Sequence, residues 1–403
     1  MRSIVKTFLA PLSSIILLML CNGFYMTFLS MRLNIGGFPE SIIGYVHSAY
    51  YAGLLIGAVN VEKLIRRIGH IRAFSTFASL QTVTILLQGM FIVPVLWIIT
   101  RFIAGICLAG MFVVIQSWML NKSDVAMRGR ILSCYMLAMY AAQAVSQFIL
   151  DIIDPWTLAP FFVACMFCSL SLMPLTMTYS KSPELYEPGS KSIIDMFRTS
   201  PFGFASCILA GCILSSIYSF VPTFAQDMGI SVSSIMSITI TGGFILQWPI
   251  GKLSDIFDRR KVMIAVSTIA MIPCLVIVLT TSYPLVVLIC SFILGGLCFT
   301  IYPLGVTQVC ARLQTRDITA ATGVLWLAYG IGSVLGPLVS SVFMEEISPL
   351  ALYAYIALVS MVIAITGLLS IFIKRKPALG MEQGGYVTLS QVPPVIVKVE
   401  NEK

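Results

Sequence analysis

The sequence predicts an all-α integral membrane protein: twelve transmembrane helices in two pseudo-symmetric bundles of six, with both termini on the cytoplasmic side. Three observations predict it. Of 403 residues, 58% are hydrophobic and 10% charged, against roughly 25% charged in soluble domains. Apolar runs of about 20 residues, the length that crosses ~30 Å of hydrocarbon as a helix, recur along the whole chain. Finally, a charge-dense run, GKLSDIFDRRK (Gly251 to Lys261), has a degraded echo, EKLIRRIGHIR (Glu62 to Arg72), 189 residues earlier.

The first apolar run, residues 8–30, follows Arg2 and Lys6 and so imitates a secretory leader. It exceeds the ~7–15 apolar residues of such a leader and is followed by no small-residue cleavage site, so it reads as a span. The next five expected spans are 42–61, 73–91, 94–119, 130–150 and 156–178. A polar segment, 179–200, separates them from the second set: 201–225, 232–252, 262–281, 284–309, 319–343 and 350–373. The tail, 375–403, contains Gly384–Gly385 and Pro393–Pro394 and is expected to be disordered and cytoplasmic. The expected domains are thus 1–178, a loop at 179–200, 201–374 and the tail. In lipid every backbone group must be satisfied within the protein, and no segment alternates like a barrel strand, so the spans read as helices.

Of the 25 lysines and arginines, all but Arg32 and Arg101 fall in the terminal segments or in loops after even-numbered spans. That asymmetry sets the orientation. It also accounts for the net charge of +8 as a record of topology, not of a nucleic-acid partner. No nucleotide-binding P-loop is present, and with two histidines in all there is no metal-spaced cluster or hydrolytic triad. An enzyme is excluded on those grounds, and no cofactor is expected. Cys165 and Cys168 form a C-x-x-C inside a continuous apolar stretch and read as small buried hydrophobes.

A shift of about 190 residues lays RFIAGI (Arg101 to Ile106) on SFILGG (Ser291 to Gly296), and Lys63–Leu64 on Lys252–Leu253. Two six-helix repeats about an axis along the membrane normal are a transporter architecture. Here the chain resembles the major facilitator superfamily (MFS) over residues 1–375. The family's loop signature, G-x-L-x-D-R-x-G-R-R/K, is matched after span 8 by Gly251, Leu253, Asp255, Arg259, Arg260 and Lys261, with Asp258 where glycine is preferred. After span 2 it is matched by Leu64, Arg67, Gly69 and Arg72, but Glu62 replaces glycine and Arg66 replaces the aspartate. R-x-x-x-G in span 4 matches at Arg101 and Gly105. G-x-x-x-G-P appears as Gly332, Gly336 and Pro337 in span 11, although the family's antiporters carry it in span 5. With Gln247–Gly251 and Tyr302–Pro303, these features are similar to the YcaD-type bacterial group.

The resemblance implies the MFS fold, a secondary transporter working by alternating access, and a bacterial inner-membrane setting. It also implies that Asp255 meets a helix N-terminus of the opposite half, where a carboxylate gains typically ~0.3–1 kcal/mol. By pseudo-symmetry the partners are Arg128 and Arg130. In the rewired first copy Arg66 would face Asp317, the signs exchanged; the plainer reading makes Asp317 the N-terminal cap of span 11. For Arg260 and Lys261 the plainer reading is a solvated basic turn.

Charges inside a span are costly and mark functional candidates. Arg101 lies about seven residues into span 4, ~10 Å deep at 1.5 Å per residue, and His47 lies at similar depth in span 2. No Asp or Glu lies near the midplane. A lone arginine favours an anionic or zwitterionic solute, because the guanidinium fork matches carboxylate or phosphate. The missing carboxylate argues against the alternative, a multidrug/proton efflux antiporter. A non-transporting sensor of the same fold is a further alternative. The plainer reading of Arg101 is a residue that bonds helix carbonyls or polar side chains of spans 1 or 5, and His47 reads either as a proton carrier or as a packed residue. Further pathway candidates are Asn22, Tyr25, Gln116, Tyr140, Gln143, Gln147, Tyr218, Gln247, Tyr302, Trp326 and Tyr329; each lines a cavity or bonds another helix. The expected partners are a small solute, a proton as possible coupling ion and the lipid bilayer, with the protein a monomer.

Overall fold

The computed structural model describes residues 2–121, 128–177, 197–313 and 315–372, and every regular element among them is helical. The linker residues 178–196 and the tail from 373 lie outside the described residues, as do the side chains of Arg128 and Arg130. The boundary between two compact units falls between Tyr186 and Glu187.

The first unit contains α1 (Arg2–Ile35), α2 (Glu40–Ile68), α3 (His70–Met90), α4 (Pro94–Asn121) and α5 (Arg128–Ser146). A 3₁₀ turn, Gln147–Asp151, prolongs α5, and α6 (Ala159–Leu170) and the short α7 (Met173–Thr176) follow. The second unit contains α8 (Pro201–Asp227), α9 (Val232–Ile256), α10 (Arg259–Leu279), α11 (Pro284–Cys310), α12 (Thr315–Glu346) and α13 (Ala351–Phe372).

Local chemistry sets the breaks. Gly69 alone separates α2 from α3, and its φ of 84° is a conformation that a side chain would resist. Asp258 caps α10, its carboxylate accepting from the N–H of Arg260 at 2.8 Å and of Lys261 at 3.4 Å. That explains why an aspartate serves where the motif prefers glycine. Proline opens α4, α8 and α11, where its missing N–H costs nothing.

Nine segments among the described residues are long and apolar enough to cross a membrane. The expected spans 3, 5 and 8 correspond to α3, α5 and α9, of 21, 19 and 25 residues, which are not among the nine. Gln81 and Gln88 in α3, Gln143 in α5, and the serines and threonines of α9 dilute their apolar content.

The internal repeat is written in backbone contacts. A Cβ added to Gly53 of α2 would lie 1.9 Å from the Phe102 carbonyl oxygen of α4, and one added to Gly105 would lie 2.1 Å from that of Tyr50. In the second unit, a Cβ on Gly242 of α9 would lie 2.0 Å from the Phe292 oxygen of α11, and one on Gly295 would lie 2.1 Å from the Thr239 oxygen. These pairs stand 189 or 190 residues apart in sequence. One turn further on, the small residue changes sides. Gly57 packs on Ile106 in the first unit, whereas Leu246 packs on Gly296 in the second. Where the hydrophobic effect adds little between helices in lipid, such close backbone approach is what holds them together.

Candidate functional site

Within the first unit, α1, α2 and α4 converge on Arg101. Its side chain is fully buried. The guanidinium carbon sits 3.9 Å from the centroid of the Tyr50 ring, a cation–π contact that the flat, weakly hydrated group makes well. One edge nitrogen, Nη2, contacts the Met26 sulfur. Nε and Nη1 are buried and have no hydrogen-bond partner among the described residues. No carboxylate among the described residues pairs with this cation. A buried charge left this way costs several kcal/mol unless something pairs with it.

The surrounding polar groups are mostly committed to one another. Tyr50 donates its hydroxyl to Asn22 Oδ1 at 3.0 Å. Tyr25 donates to Gln88 Oε1, whose amide nitrogen donates to Thr100 Oγ1 at 2.9 Å. Trp97 joins this network by donating Nε1 to the Gln88 carbonyl at 3.1 Å. His47 is fully buried, with Nε2 2.8 Å from Ser30 Oγ, while Nδ1 has no hydrogen-bond partner among the described residues. The imidazole is within electrostatic reach of Arg101. Asn22, Met26 and Ser30 fall at i, i+4 and i+8 on α1, so one face of that helix lines the cluster. Chemically, the arrangement is a desolvated cation stacked on a phenol, with two donor-bearing nitrogens uncommitted. It suits a carboxylate or phosphate, for which charge-assisted bonds are the strong ones.

The structure therefore brings together four of the sequence-derived candidates, Arg101, His47, Asn22 and Tyr25. Others serve different contacts. Gln147 begins the 3₁₀ turn, one residue beyond α5, and donates to the Gly23 carbonyl at 3.1 Å, which ties α1 to α5. Gln143 flanks the same glycine. Gln116 reaches the Tyr135 hydroxyl at 3.5 Å, and Tyr140 is buried. In the second unit the Tyr302 and Tyr329 rings lie 4.8 Å apart, Tyr218 lies 5.9 Å from Phe299, and Trp326 and Gln247 are buried.

Of the charged-loop residues, Arg66 pairs with Glu62 of its own helix at 2.7 Å. Asp255 lies 3.8 Å from Arg259, which also donates to the Thr307 carbonyl at 3.0 Å. Arg260 donates to the Ser370 carbonyl at 3.2 Å. Asp317 stands in the first turn of α12. Cys165 and Cys168 are buried free thiols bonded to helix carbonyls of α3.

Sequence reasoning missed Tyr50, Met26, Ser30 and Gln88. The spacing of His47, Tyr50 and Tyr51, at i, i+3 and i+4, places all three on one face of α2 and was the available signal for Tyr50. Methionine and serine are too common in spans to stand out.

The model of the Major Facilitator Superfamily matches residues 12–248 and 231–388. An MFS-type transporter of Enterobacter sp. (strain 638), described as uncharacterized, is 27% identical over 367 residues, covering 90% of this chain and 95% of that protein. YcaD of Escherichia fergusonii, described likewise, is 28% identical over 358 residues, covering 87% and 92%. The crystal structure of the nucleoside transporter NupG superposes with a TM-score of 0.77 at 15% identity, covering 91% of this chain and all of that one. That last likeness speaks for the fold alone.

Proposed function

The chain belongs to the Major Facilitator Superfamily, a family of membrane transporters and not of enzymes, and from that premise we propose that it carries a small anionic or zwitterionic organic solute by alternating access. The reading takes all twelve sequence spans as crossings, with both termini cytoplasmic, in a bacterial inner membrane. One observation carries the solute class: the buried Arg101 guanidinium keeps Nε and Nη1 without partners. In this reading the solute's anionic group completes that shell, Tyr50 holds the guanidinium plane, and Asn22 holds Tyr50. His47, one ring nitrogen unpartnered, is the candidate for a coupled proton.

The gates in this reading are the two charged loops. Asp255 reaches Arg128 and Arg130, and Arg66 leaves Glu62 for Asp317, as the halves exchange sides. Exposed ion pairs of about 0–1 kcal/mol suit contacts that must break each cycle. A charge exchange tests the second gate: Arg66→Asp with Asp317→Arg restores transport that each single variant loses. Failure to restore it in folded protein removes the gate from the account.

Solute class is tested on purified protein by melting-temperature shifts with anionic, zwitterionic, neutral and cationic metabolites. A ligand at 100 times its dissociation constant adds about 2.7 kcal/mol. Stabilisation by anions or zwitterions, absent in Arg101→Gln, is the expected result. Stabilisation by lipophilic cations that survives the substitution favours drug efflux instead.

A further inference from the structure

A second feature lies away from Arg101, at the basic end of the second unit. A cavity of about 240 Å³ opens there between the start of α8, the start of α10 and the end of α13. Arg260 and Arg312 both line it, and its walls include Phe202, Ala205 and Leu369. Each arginine spends one N–H on a helix-end carbonyl, Arg260 on Ser370 and Arg312 on Thr199, each at 3.2 Å. A guanidinium has five such donors, so both retain several that have no acceptor among the described residues.

Each hydroxyl of this cavity already makes a bond within its own helix end. Thr366 Oγ1 donates to the Val362 carbonyl at 2.7 Å, and Ser370 Oγ to that of Gly367 at 2.6 Å. Ser200 Oγ accepts from the Gly203 N–H as the cap of α8. What remains is two cations over an apolar floor. Two guanidinium forks over apolar walls match a molecule with an anionic phosphate joined to hydrocarbon.

The surroundings agree. Arg260 is the second residue of α10, and Arg312 lies two residues past the end of α11, so both stand where spans emerge at headgroup level. Ile365, Leu368 and Leu369 of α13 form an exposed apolar strip leading from the cavity, a path for chain that the cavity does not hold. The N-terminus of the 27-residue α8 adds its positive end to the same place. We infer that this cavity is a binding site for an anionic phospholipid, its phosphate between Arg260 and Arg312 and one acyl chain against Phe202, Ala205 and Leu369. Basic pockets between membrane helices bind headgroups in this manner.

The test uses the full chain in vesicles doped with brominated lipid, reading quenching of tryptophan fluorescence, with native mass spectrometry of retained lipid alongside. Dioleoyl phosphatidylglycerol is expected to be preferred over dioleoyl phosphatidylcholine by tenfold or more. That preference falls to twofold or less in Arg260→Gln/Arg312→Gln. A control pair in the other unit's exposed basic loop, Lys63→Gln/Arg72→Gln, leaves it unchanged. Ala205→Trp keeps both arginines and fills the chain's seat, so it too is expected to release the lipid; it decides the matter if the double variant does not fold. Equal binding of the two lipids by the wild type overturns the proposal. So does phosphatidylglycerol binding that persists in Ala205→Trp while millimolar inorganic phosphate displaces it, since that describes a free-anion site.

Discussion

The crossing of α2 with α4 and the crossing of α9 with α11 use the same device, a glycine on each helix meeting the other's backbone, but they hold different things. In the first unit the crossing carries Arg101, His47 and Tyr50, and Met26 of α1 packs against them. At the equivalent places, displaced by 188 to 190 residues, the second unit has Ser291, Met236, Thr239 and Leu214, all buried. The repeat thus preserved the scaffold and left a buried cation at this crossing in one unit only. A buried charge is expensive, and a fold that needed it for packing would need it twice. The asymmetry is the argument that Arg101 serves a solute.

Four sets of substitutions test how alike the two crossings are. The largest effect belongs to the shared scaffold. Gly53→Val and Gly242→Val each drive a side chain into a carbonyl that helical hydrogen bonding holds in place, a clash beyond the ~1–3 kcal/mol of ordinary overpacking. Neither variant is expected to yield folded protein by size-exclusion chromatography, and tolerance of one alone breaks the equivalence of the crossings. Next comes the exchanged contact. Gly57→Leu is expected to cost about 1–3 kcal/mol, and Ile106→Gly in the same chain to recover most of it, reproducing the Leu246–Gly296 pairing. Thermal melting that shows no recovery separates the two crossings at that turn.

The third concerns the loops. His70 begins α3 at the place where the second unit has Arg259. Burial pushes its pKa down to about 4, against 6.5 when unfolded. Between those values the unfolded chain binds a proton that the folded one does not. Stability is therefore full above about pH 6.5 and declines as pH falls toward 4, by up to about 3 kcal/mol from this group. His70→Gln is expected to flatten that part of the profile in melting experiments across pH 4–7.5, and an unchanged slope assigns the acid sensitivity elsewhere. The smallest effect is that of Ser291→Ala, expected to change stability by less than about 1 kcal/mol and solute-induced stabilisation not at all. A large loss of solute response there puts the second crossing into the binding site after all.

The fold was largely legible in the sequence, because membrane helices declare themselves by apolar length. Legibility was poorest in α3, α5 and α9, where glutamines and hydroxyls are buried against neighbouring helices and dilute the signal. Arg101 stood out as a lone charge in a span. Its companions did not: Tyr50 is one of several tyrosines, and Met26 contacts the guanidinium through a sulfur that no pattern flags. Tyr140, Gln143 and Gln147 fall at i, i+3 and i+7, the spacing of one helix face, but α5 gives way to the 3₁₀ turn after Ser146 and Gln147 reaches Gly23. Periodicity assumes an unbroken helix, and the turn is invisible to it.

Whether Arg101 is the solute's anion clamp is decided by the dissociation constant of a stabilising anionic solute for purified wild type, Arg101→Lys and Arg101→Gln. Removing one partner of a buried charge pair costs about 2–5 kcal/mol, so the account predicts at least a 30-fold weaker constant for Arg101→Gln. Arg101→Lys, which keeps the charge but loses the planar fork, is predicted to fall between. Equal constants in all three, with the variants folded, contradict the claim and leave Arg101 a structural residue.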